Sequence, residues 1–206
     1  SAYRSDLRKA LEGGSGFSQR WETVFNAVAD TQSRHSLPPT LLHALLDAFE
    51  QDVRMTEAGQ WYESRAQLLA YCARSAQPIG RLLLHLLGMR EPTALAESDH
   101  ICTALQLINF WQDLSVDLAR RRWYIPRIDC ERFGVSPHDV ERGVATDASR
   151  QLVADLCRWA QSEMLLGMPL AHRIQGRFGI ELRWVVQGGL AVLEKIQQLN
   201  HDTFSR

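Results

Sequence analysis

The sequence predicts an all-α protein. Apolar residues recur at helical spacing along most of the 206 residues, and no segment alternates apolar and polar residues as a half-buried strand would. Prolines and glycines divide this pattern into segments of ordinary helix length. A composition of 45% apolar and 23% charged residues is typical of a globular protein, so we predict a single domain over residues 1–206.

The boundaries of the predicted helices follow from these interruptions. Glycines at 13–16 separate the first two helices, and Pro92 suits the first turn of a long helix. Residues 61–75 and 79–87 are expected to form one helix, either continuous or kinked at Pro78. The segment 120–126 closes on proline and is too short for a helix, so we predict an ordered loop. Helices are expected over residues 3–11, 18–34, about 40–50, 61–75 together with 79–87, 92–117, 127–133, 137–143, 146–168 and 180–200.

Charge and cysteine usage exclude some classes of function. The net charge is −1 and there is no basic block, which argues against nucleic-acid binding. The four cysteines lie far apart without a Cys-x-x-Cys pair, so we interpret them as reduced thiols of a cytoplasmic protein. No apolar run reaches the length of a membrane span.

A polar stripe lies in the most apolar part of the sequence. Gln106, Asn109, Asp113 and Asp117 follow one another at steps of three, four and four residues. On a helix these steps place the four side chains within an arc of roughly 80°. Two carboxylates one turn apart repel each other, and a divalent cation relieves both this repulsion and the cost of burial. Oxygen ligands favour a hard cation such as Mg²⁺.

The stripe has a simpler alternative, the solvent-facing side of an amphipathic helix. Against it, apolar residues flank the stripe almost all round, and the run Arg120, Arg121 and Arg122 follows it. These arginines could complement the negative end of a helix dipole, or they could grip a diphosphate that metal ions bridge. Mg²⁺ and guanidinium groups neutralise a leaving diphosphate, while aromatic faces stabilise a carbocation.

A second group of residues could line a slot for a long hydrocarbon. Tyr71, Ser75 and Ile79 share one helical face, with the small residues Ala76 and Gly80 beside them. Such a face more often packs against another helix, and this remains the alternative.

A second acidic pair is weaker as a site. Asp47 and Asp52 are five residues apart, so a helix would place them about 140° apart, too far for one site. Asp47 and Gln51 are better aligned, with a solvated face as the alternative. The seven histidines show no metal-ligand spacing, and we assign them no role.

Three segments together resemble the squalene/phytoene synthase family over nearly the whole chain. They are Tyr-Cys-Ala-Arg-Ser-Ala-Gln-Pro-Ile-Gly at 71–80, Gln-Leu-Ile-Asn-Phe-Trp-Gln-Asp-Leu-Ser-Val-Asp at 106–117 and Arg-Trp-Tyr-Ile-Pro at 122–126. The sequences at 109–113 and at 186–196 are similar to those of the bacterial HpnC branch of the family, which makes squalene or hydroxysqualene for hopanoids.

The resemblance implies an isoprenoid-synthase bundle with a central cavity. It implies that Asn109, Asp113 and Asp117 form the second aspartate-rich motif and bind Mg²⁺-diphosphate, with Gln106 beside them. Tyr71 matches a tyrosine of the family's active site.

The loop after the stripe also matches the family, with one departure. Arg122 and Tyr124 match the loop that closes near the diphosphate. Arg121 stands where many relatives have glycine, which could stiffen the loop or add a phosphate contact.

A second departure concerns the metal site. The family places a first aspartate-rich motif on an early helix, and no Asp-Asp-x-x-Asp pattern precedes the Asp47 helix. We therefore expect this chain to be incomplete at its N-terminus, with the first helices and half of the metal site missing.

The resemblance implies a reaction and two alternatives. In the HpnC branch presqualene diphosphate ionises and water captures the cation, giving hydroxysqualene with Mg²⁺ and without NADPH. The first alternative is head-to-head condensation of two farnesyl diphosphates. The second is a scaffold or regulatory subunit without catalysis, suggested by the missing motif.

The expected partner is a prenyl diphosphate. A peripheral contact with a membrane is also expected to help collect so apolar a substrate. The sequence indicates no oligomeric state.

Overall fold

The computed structural model describes residues 2–205, and these residues confirm the all-α prediction. The only strand-like pairing among them is an isolated bridge between Trp61 and Trp123. A short 3₁₀ turn at Gln19–Trp21 precedes the second helix. The helices are α1 Ala2–Leu11, α2 Glu22–His35, α3 Pro39–Ala58, α4 Arg65–Ser75, α5 Gln77–Leu86, α6 Pro92–Gln112, α7 Leu114–Ala119, α8 Arg127–Phe133, α9 Pro137–Glu141, α10 Asp147–Arg173 and α11 Gly176–Gln198.

The helix expected to run from Pro92 through Asp117 is divided at Asp113. This residue adopts φ −97° and ψ 19°, so α6 ends before it and α7 begins after it. Aspartate is a poor helix former because its short side chain competes for backbone groups. The prediction of a single continuous helix is therefore wrong. The polar residues of the stripe are instead distributed over α6, the break at Asp113 and α7.

Proline settles the other uncertain boundaries. The prediction of one helix, continuous or kinked at Pro78, is wrong: α4 ends at Ser75, and Pro78 lies in the first turn of a separate helix, α5. Pro39 begins α3 in the same way, without the side-chain cap expected near Thr40. Helix α10 continues through Pro169, five residues beyond the predicted end at Met168.

Helix α6 is the centre of the bundle. Its buried residues, including Ile101, Leu107 and Trp111, lie on several sides of the helix, and α4, α5, α10 and α11 pack around it. Gly167 of α10 allows a close approach to α6, because a Cβ atom there would lie 2.6 Å from the Glu97 carbonyl oxygen.

The N-terminal helices form a smaller apolar cluster on α3. Leu7 and Ala10 of α1 pack with Phe17 and Phe25, and Leu42 of α3 is in contact with the same cluster. Among residues 2–205, no helix combines the length and apolar character needed to cross a membrane.

Candidate functional site

The polar stripe follows the last turns of α6 into α7. The Asp113 N–H donates to the Asn109 carbonyl oxygen at 3.0 Å, and the Asp117 N–H donates to the Asp113 carbonyl oxygen at 2.9 Å. These bonds keep the helical spacing of the stripe across the break. Asn109 and Asp113 are exposed, Gln106 is half-buried, and the Asp117 side chain is 14% exposed. The stripe thus passes from solvent into a partly enclosed site.

Asp117 is the most perturbed carboxyl group of the stripe. Its pKa is raised to about 6, chiefly by burial; the Asp113 and Asp52 charges add to the rise, and Arg122 and Arg120 oppose it. Its negative charge is therefore incompletely compensated by the protein, a condition that favours a cation beside it.

The loop at 120–126 is held against the connection between α3 and α4. The Trp123 and Trp61 rings stack with centroids 4.8 Å apart. Just beyond the loop, the Arg127 N–H donates to the Tyr62 carbonyl oxygen at 2.9 Å. These contacts position Arg122 and Tyr124 over the stripe.

Arg122 lies between two carboxylates. Its guanidinium nitrogens are 3.9 Å from an Asp117 oxygen and 3.7 Å from an Asp52 oxygen. These distances are longer than a charge-assisted hydrogen bond, so the guanidinium has donors to spare for an anionic ligand. The resemblance implied that Arg122 lies near the diphosphate; the structure places it beside Asp117 of the stripe, and its contact with a diphosphate stays a prediction.

Tyr124 is bonded directly to Asp52. Its hydroxyl donates to Asp52 Oδ1 at 2.6 Å. Burial raises the Tyr124 pKa well above its usual range, and the bond to Asp52 adds to the rise. The pKa of Tyr71 is likewise raised to about 12, chiefly by burial and also by the nearby Asp52 charge. Both tyrosines are therefore neutral hydrogen-bonding groups at ordinary pH.

Four aromatic rings form a wall beside these polar groups. The Phe110 and Tyr124 rings stack with centroids 3.9 Å apart. The ring centroids of Tyr71 and Tyr62 lie 6.0 and 6.2 Å from that of Tyr124. Tyr71, predicted from the sequence, is thus in the same cluster as Tyr124.

Asp52 is the site residue that sequence reasoning missed. The predicted separation of Asp47 and Asp52 holds: Asp47 binds Arg4 at the surface, at 2.7 Å, while Asp52 faces the site. The expected alignment of Asp47 with Gln51 does not produce a contact between them, because Gln51 bonds Tyr62 and Arg74 instead. The pattern of apolar residues along α3 could have identified Asp52.

This pattern is the apolar stripe of α3. Asp52 lies four residues after Ala48, which is fully buried, and three before Met55, which packs on the core. A carboxylate at a core-facing position of a helix needs a polar partner.

The other two arginines of the run lie at the edge of the site. Arg120 and Arg121 are exposed, and a terminal nitrogen of Arg121 lies beside Gly59, 3.2 Å from where a Cβ atom would be. Arg121 has φ 60°, in the left-handed region that favours glycine. This backbone conformation explains why many relatives have glycine at this position. The contact of Arg121 with a phosphate stays a prediction.

An apolar groove of about 270 Å³ lies between α5, α6, α10 and α11. It corresponds to the cavity expected inside the bundle. Ile79 lines it, whereas Tyr71 lies in the aromatic wall, so the predicted slot is divided between two helices. The lining residues are Ile79, Gly80, Leu83, Leu84, Ser98, Ile101, Cys102, Leu105, Leu170, Phe178, Glu181, Leu182 and Val185.

The available metal donors are carboxylate and amide oxygens. Among residues 2–205, no three His, Cys, Asp or Glu side chains converge as a metal site. Mg²⁺ commonly uses one or two protein carboxylates and completes its shell with water and substrate phosphates. Asp113 and Asp117, with the Asn109 amide, fit a cation that arrives with an anionic substrate better than a fully protein-bound one.

Comparison with known proteins agrees with this geometry. A family model described as squalene/phytoene synthase matches residues 1–206. The chain belongs to the squalene/phytoene synthase family. Its resemblance to that family, inferred from the three sequence segments, is therefore confirmed.

Individual family members lie at moderate identity. The hydroxysqualene synthase of Zymomonas mobilis is 35% identical over 157 residues, covering 74% of this chain and 49% of that protein. The phytoene synthase of Cereibacter sphaeroides is 30% identical over 174 residues, covering 81% and 48% respectively. The chain spans about half the length of the curated relatives it matches.

A solved family member shares the fold. Squalene synthase HpnC from Alicyclobacillus acidocaldarius superposes with a TM-score of 0.89 at 32% identity, covering 98% of this chain and 73% of that one. The isoprenoid-synthase type of bundle is thus confirmed.

Proposed function

We propose that the protein converts presqualene diphosphate to hydroxysqualene, by ionisation of the diphosphate and capture of the cation by water. The observation that supports this proposal is that helix α6 contributes to an aromatic wall, leads into a charged end and also lines an apolar groove. Asp117 and Arg122 form the charged end, Tyr124 and Phe110 belong to the wall, and Leu105 lines the groove. An amphiphilic diphosphate ester matches these three parts.

At the charged end, Asn109, Asp113 and Asp117 would hold Mg²⁺ together with the diphosphate. When bound, Mg²⁺ neutralises the charge of the leaving diphosphate. Arg122 would bind a diphosphate oxygen, since its two carboxylate neighbours lie beyond hydrogen-bonding distance. We propose that Gln106 and Arg121 contribute further polar contacts at the edge of this end.

The aromatic wall would stabilise the carbocation. Ring faces attract a cation without donating a nucleophile to it. The neutral hydroxyls of Tyr71 and Tyr124 orient their rings, and Tyr124 is locked by its bond to Asp52. The groove would enclose the hydrocarbon and limit access of water to it.

The main alternative is head-to-head condensation of two farnesyl diphosphates. Phytoene synthases, and a presqualene diphosphate synthase of Sinorhizobium fredii that is 31% identical over 117 residues, support it. We favour the first reaction because hydroxysqualene synthases from Zymomonas mobilis and Sinorhizobium fredii match at 35% and 33% identity.

The decisive experiment uses the protein expressed from its complete gene. It is incubated with Mg²⁺ and either presqualene or farnesyl diphosphate, with and without NADPH, and the products are identified by mass spectrometry. We expect hydroxysqualene from presqualene diphosphate without NADPH. Squalene formed only with NADPH, or presqualene diphosphate formed from farnesyl diphosphate, would contradict the proposal. A protein inactive towards both substrates would support the scaffold alternative.

Asp113→Asn tests the metal ligands separately. Asp113 is exposed, so we expect the variant to fold with an unchanged melting temperature and to lose at least about 100-fold in turnover. Asp30→Asn, at an exposed ion pair on α2, serves as the control and should keep its activity. Full activity of Asp113→Asn would remove this residue from the metal site.

We also propose that the protein is cytoplasmic and touches a membrane peripherally when it collects its substrate. Apolar residues at the rim of the groove support this, since Ile79 and Leu83 are 48% and 43% exposed. Sedimentation with lipid vesicles tests it, and complete absence of the protein from the pellet would contradict it.

A further inference from the structure

The helix break at Asp113 is bonded to a segment that follows α11. In a continuous α-helix the Ser115 N–H would donate to the Trp111 carbonyl oxygen, four residues earlier. It donates instead to the Thr203 carbonyl oxygen at 3.2 Å. The hydrogen bond that would have continued α6 into α7 is thus replaced by a bond to another part of the chain.

The segment that supplies this carbonyl, residues 199–205, is held firmly in place. Thr203 and Phe204 are buried, and the Phe204 ring belongs to the main apolar core. Asn200 and His201 adopt left-handed conformations, with φ 52° and 55°, which end α11 and turn the chain. The Thr203 carbonyl oxygen is therefore an acceptor fixed by the packing of its own segment.

A glycine after α9 lets the segment lie in this position. Gly143 has φ 60°, and a Cβ atom there would lie 2.9 Å from the Phe204 carbonyl oxygen. Gly134, after α8, has φ 67°, and a Cβ atom there would meet nothing within 4 Å. The two glycines share a backbone conformation, but only Gly143 lies against the segment.

The break sets the relative positions of the stripe residues. Asn109 lies on α6, Asp113 at the break and Asp117 on α7. A rotation of α7 about the break would move Asp117 relative to Asn109. Mg²⁺ demands near-octahedral geometry with ligands at about 2.0–2.1 Å, so a small displacement of one carboxylate weakens its binding.

We propose that segment 199–205 is a positioning element for the metal ligands. Its Thr203 carbonyl holds the break, and the break holds Asp113 and Asp117 in the arrangement that binds Mg²⁺ with diphosphate. This inference rests on the proposed function, which assigns the metal to these residues. Thr203 acts through the Ser115 backbone and not by contact with the substrate.

The first test measures the break without metal or substrate. In protein expressed from the complete gene, hydrogen exchange of the Ser115 amide, followed by NMR, reports its bond to Thr203. Gly143→Ala pushes on the Phe204 carbonyl and should accelerate this exchange at least about tenfold. Gly134→Ala introduces the same backbone strain away from the segment and should leave it unchanged.

The second test measures the joint binding of Mg²⁺ and inorganic diphosphate by isothermal titration calorimetry. We expect Gly143→Ala to weaken this binding at least about tenfold. Phe204→Ala removes the buried anchor and should weaken it as well, whereas Phe204→Leu keeps an apolar anchor and should restore most of the affinity. Phe25→Ala removes an equally buried ring from the N-terminal cluster and should bind normally, which controls for general loss of stability.

The outcomes separate this inference from the proposed function. Unchanged exchange at Ser115, or unchanged binding, in Gly143→Ala would overturn the role of the segment alone. Equal effects of Gly143→Ala and Gly134→Ala would also overturn it, because backbone strain would then explain both. If the unmodified protein does not bind Mg²⁺ and diphosphate, or Asp113→Asn binds them equally well, the proposed metal site itself fails and the inference fails with it.

Discussion

Asp52 and Asp47 lie on the same helix, α3, but face different surroundings and have different partners. Asp52 accepts the Tyr124 hydroxyl inside the site, and Asp47 binds Arg4 at the surface. The carboxylate at 52 also lies 3.7 Å from Arg122. One aspartate therefore orders two residues of the loop, while the other contributes to a surface ion pair of small energetic value.

Asp52→Asn should impair catalysis more than stability. An amide oxygen can still accept from Tyr124, but the charge that strengthens this bond and holds Arg122 is lost. Charge-assisted bonds contribute roughly 1.5–3 kcal/mol, so we expect turnover to fall by about 10- to 100-fold. Steady-state kinetics of the complete protein measures the change in turnover. Asp47→Asn is the matched control, and equal losses in the two variants would contradict the assignment.

The raised pKa of Asp117 predicts a pH dependence of stability. The unfolded chain releases this proton near pH 4 and the folded protein only at about 6. The free energy of unfolding therefore falls as pH rises between these values, because the folded state then binds more protons. Asp117→Asn removes this penalty. Relative to the wild type, its stability should rise by about 1–3 kcal/mol between pH 4 and pH 7.

Urea unfolding of both proteins at the two pH values, without added metal, checks this prediction. Comparing the change with pH cancels any constant effect of the substitution itself. A stability difference that is the same at both pH values would show that Asp117 titrates normally.

At the scale of the element, the loop after α7 contains a backbone conformation that its residue does not favour. Arg121 has φ 60°, which costs a residue with a Cβ atom roughly 1 kcal/mol relative to glycine. Arg121→Gly should therefore raise the free energy of unfolding by about 0.5–1 kcal/mol. Thermal unfolding provides the measurement.

Arg120→Gly is the matched control for this prediction. Arg120 has φ −91°, which any residue adopts, so glycine there only adds flexibility to the unfolded chain and should destabilise. Destabilisation by Arg121→Gly would instead show that the guanidinium contact beside Gly59 outweighs the backbone cost.

Local sequence signals predicted many helix boundaries because the signals act within one turn. Pro92 begins α6, and the Thr146 side chain caps α10 by accepting from the Ser149 N–H. The break at Asp113 was not predictable, because the apolar residues on both sides continue the helical pattern. Asp52 was missed for a related reason, since its partner Tyr124 lies 72 residues away.

At the scale of the molecule, the bundle depends on close contact between helices α6 and α10. A Cβ atom at Gly167 would lie 2.6 Å from the Glu97 carbonyl oxygen, a backbone atom that cannot easily move. We expect Gly167→Ala to lower the free energy of unfolding by about 1–3 kcal/mol, because α6 and α10 must separate. Chemical denaturation measures the loss.

Gly188 offers the opposite case on α11. A Cβ atom there meets nothing within 4 Å, so Gly188→Ala should stabilise the protein by about 0.5–1 kcal/mol through helix propensity alone. If both alanine variants changed stability in the same direction, interhelical distance would not be the deciding factor.

Helix α6 supports both the charged end and the groove, so under the proposed function its successive turns would measure the length of the substrate. Leu105, Ile101 and Ser98 line the groove in successive turns behind the stripe residue Asn109. A helical turn advances about 5.4 Å, close to the span of one five-carbon isoprene unit. Bulk added at one turn of α6 should therefore shorten the accepted chain by one isoprene unit, while the diphosphate end keeps its place.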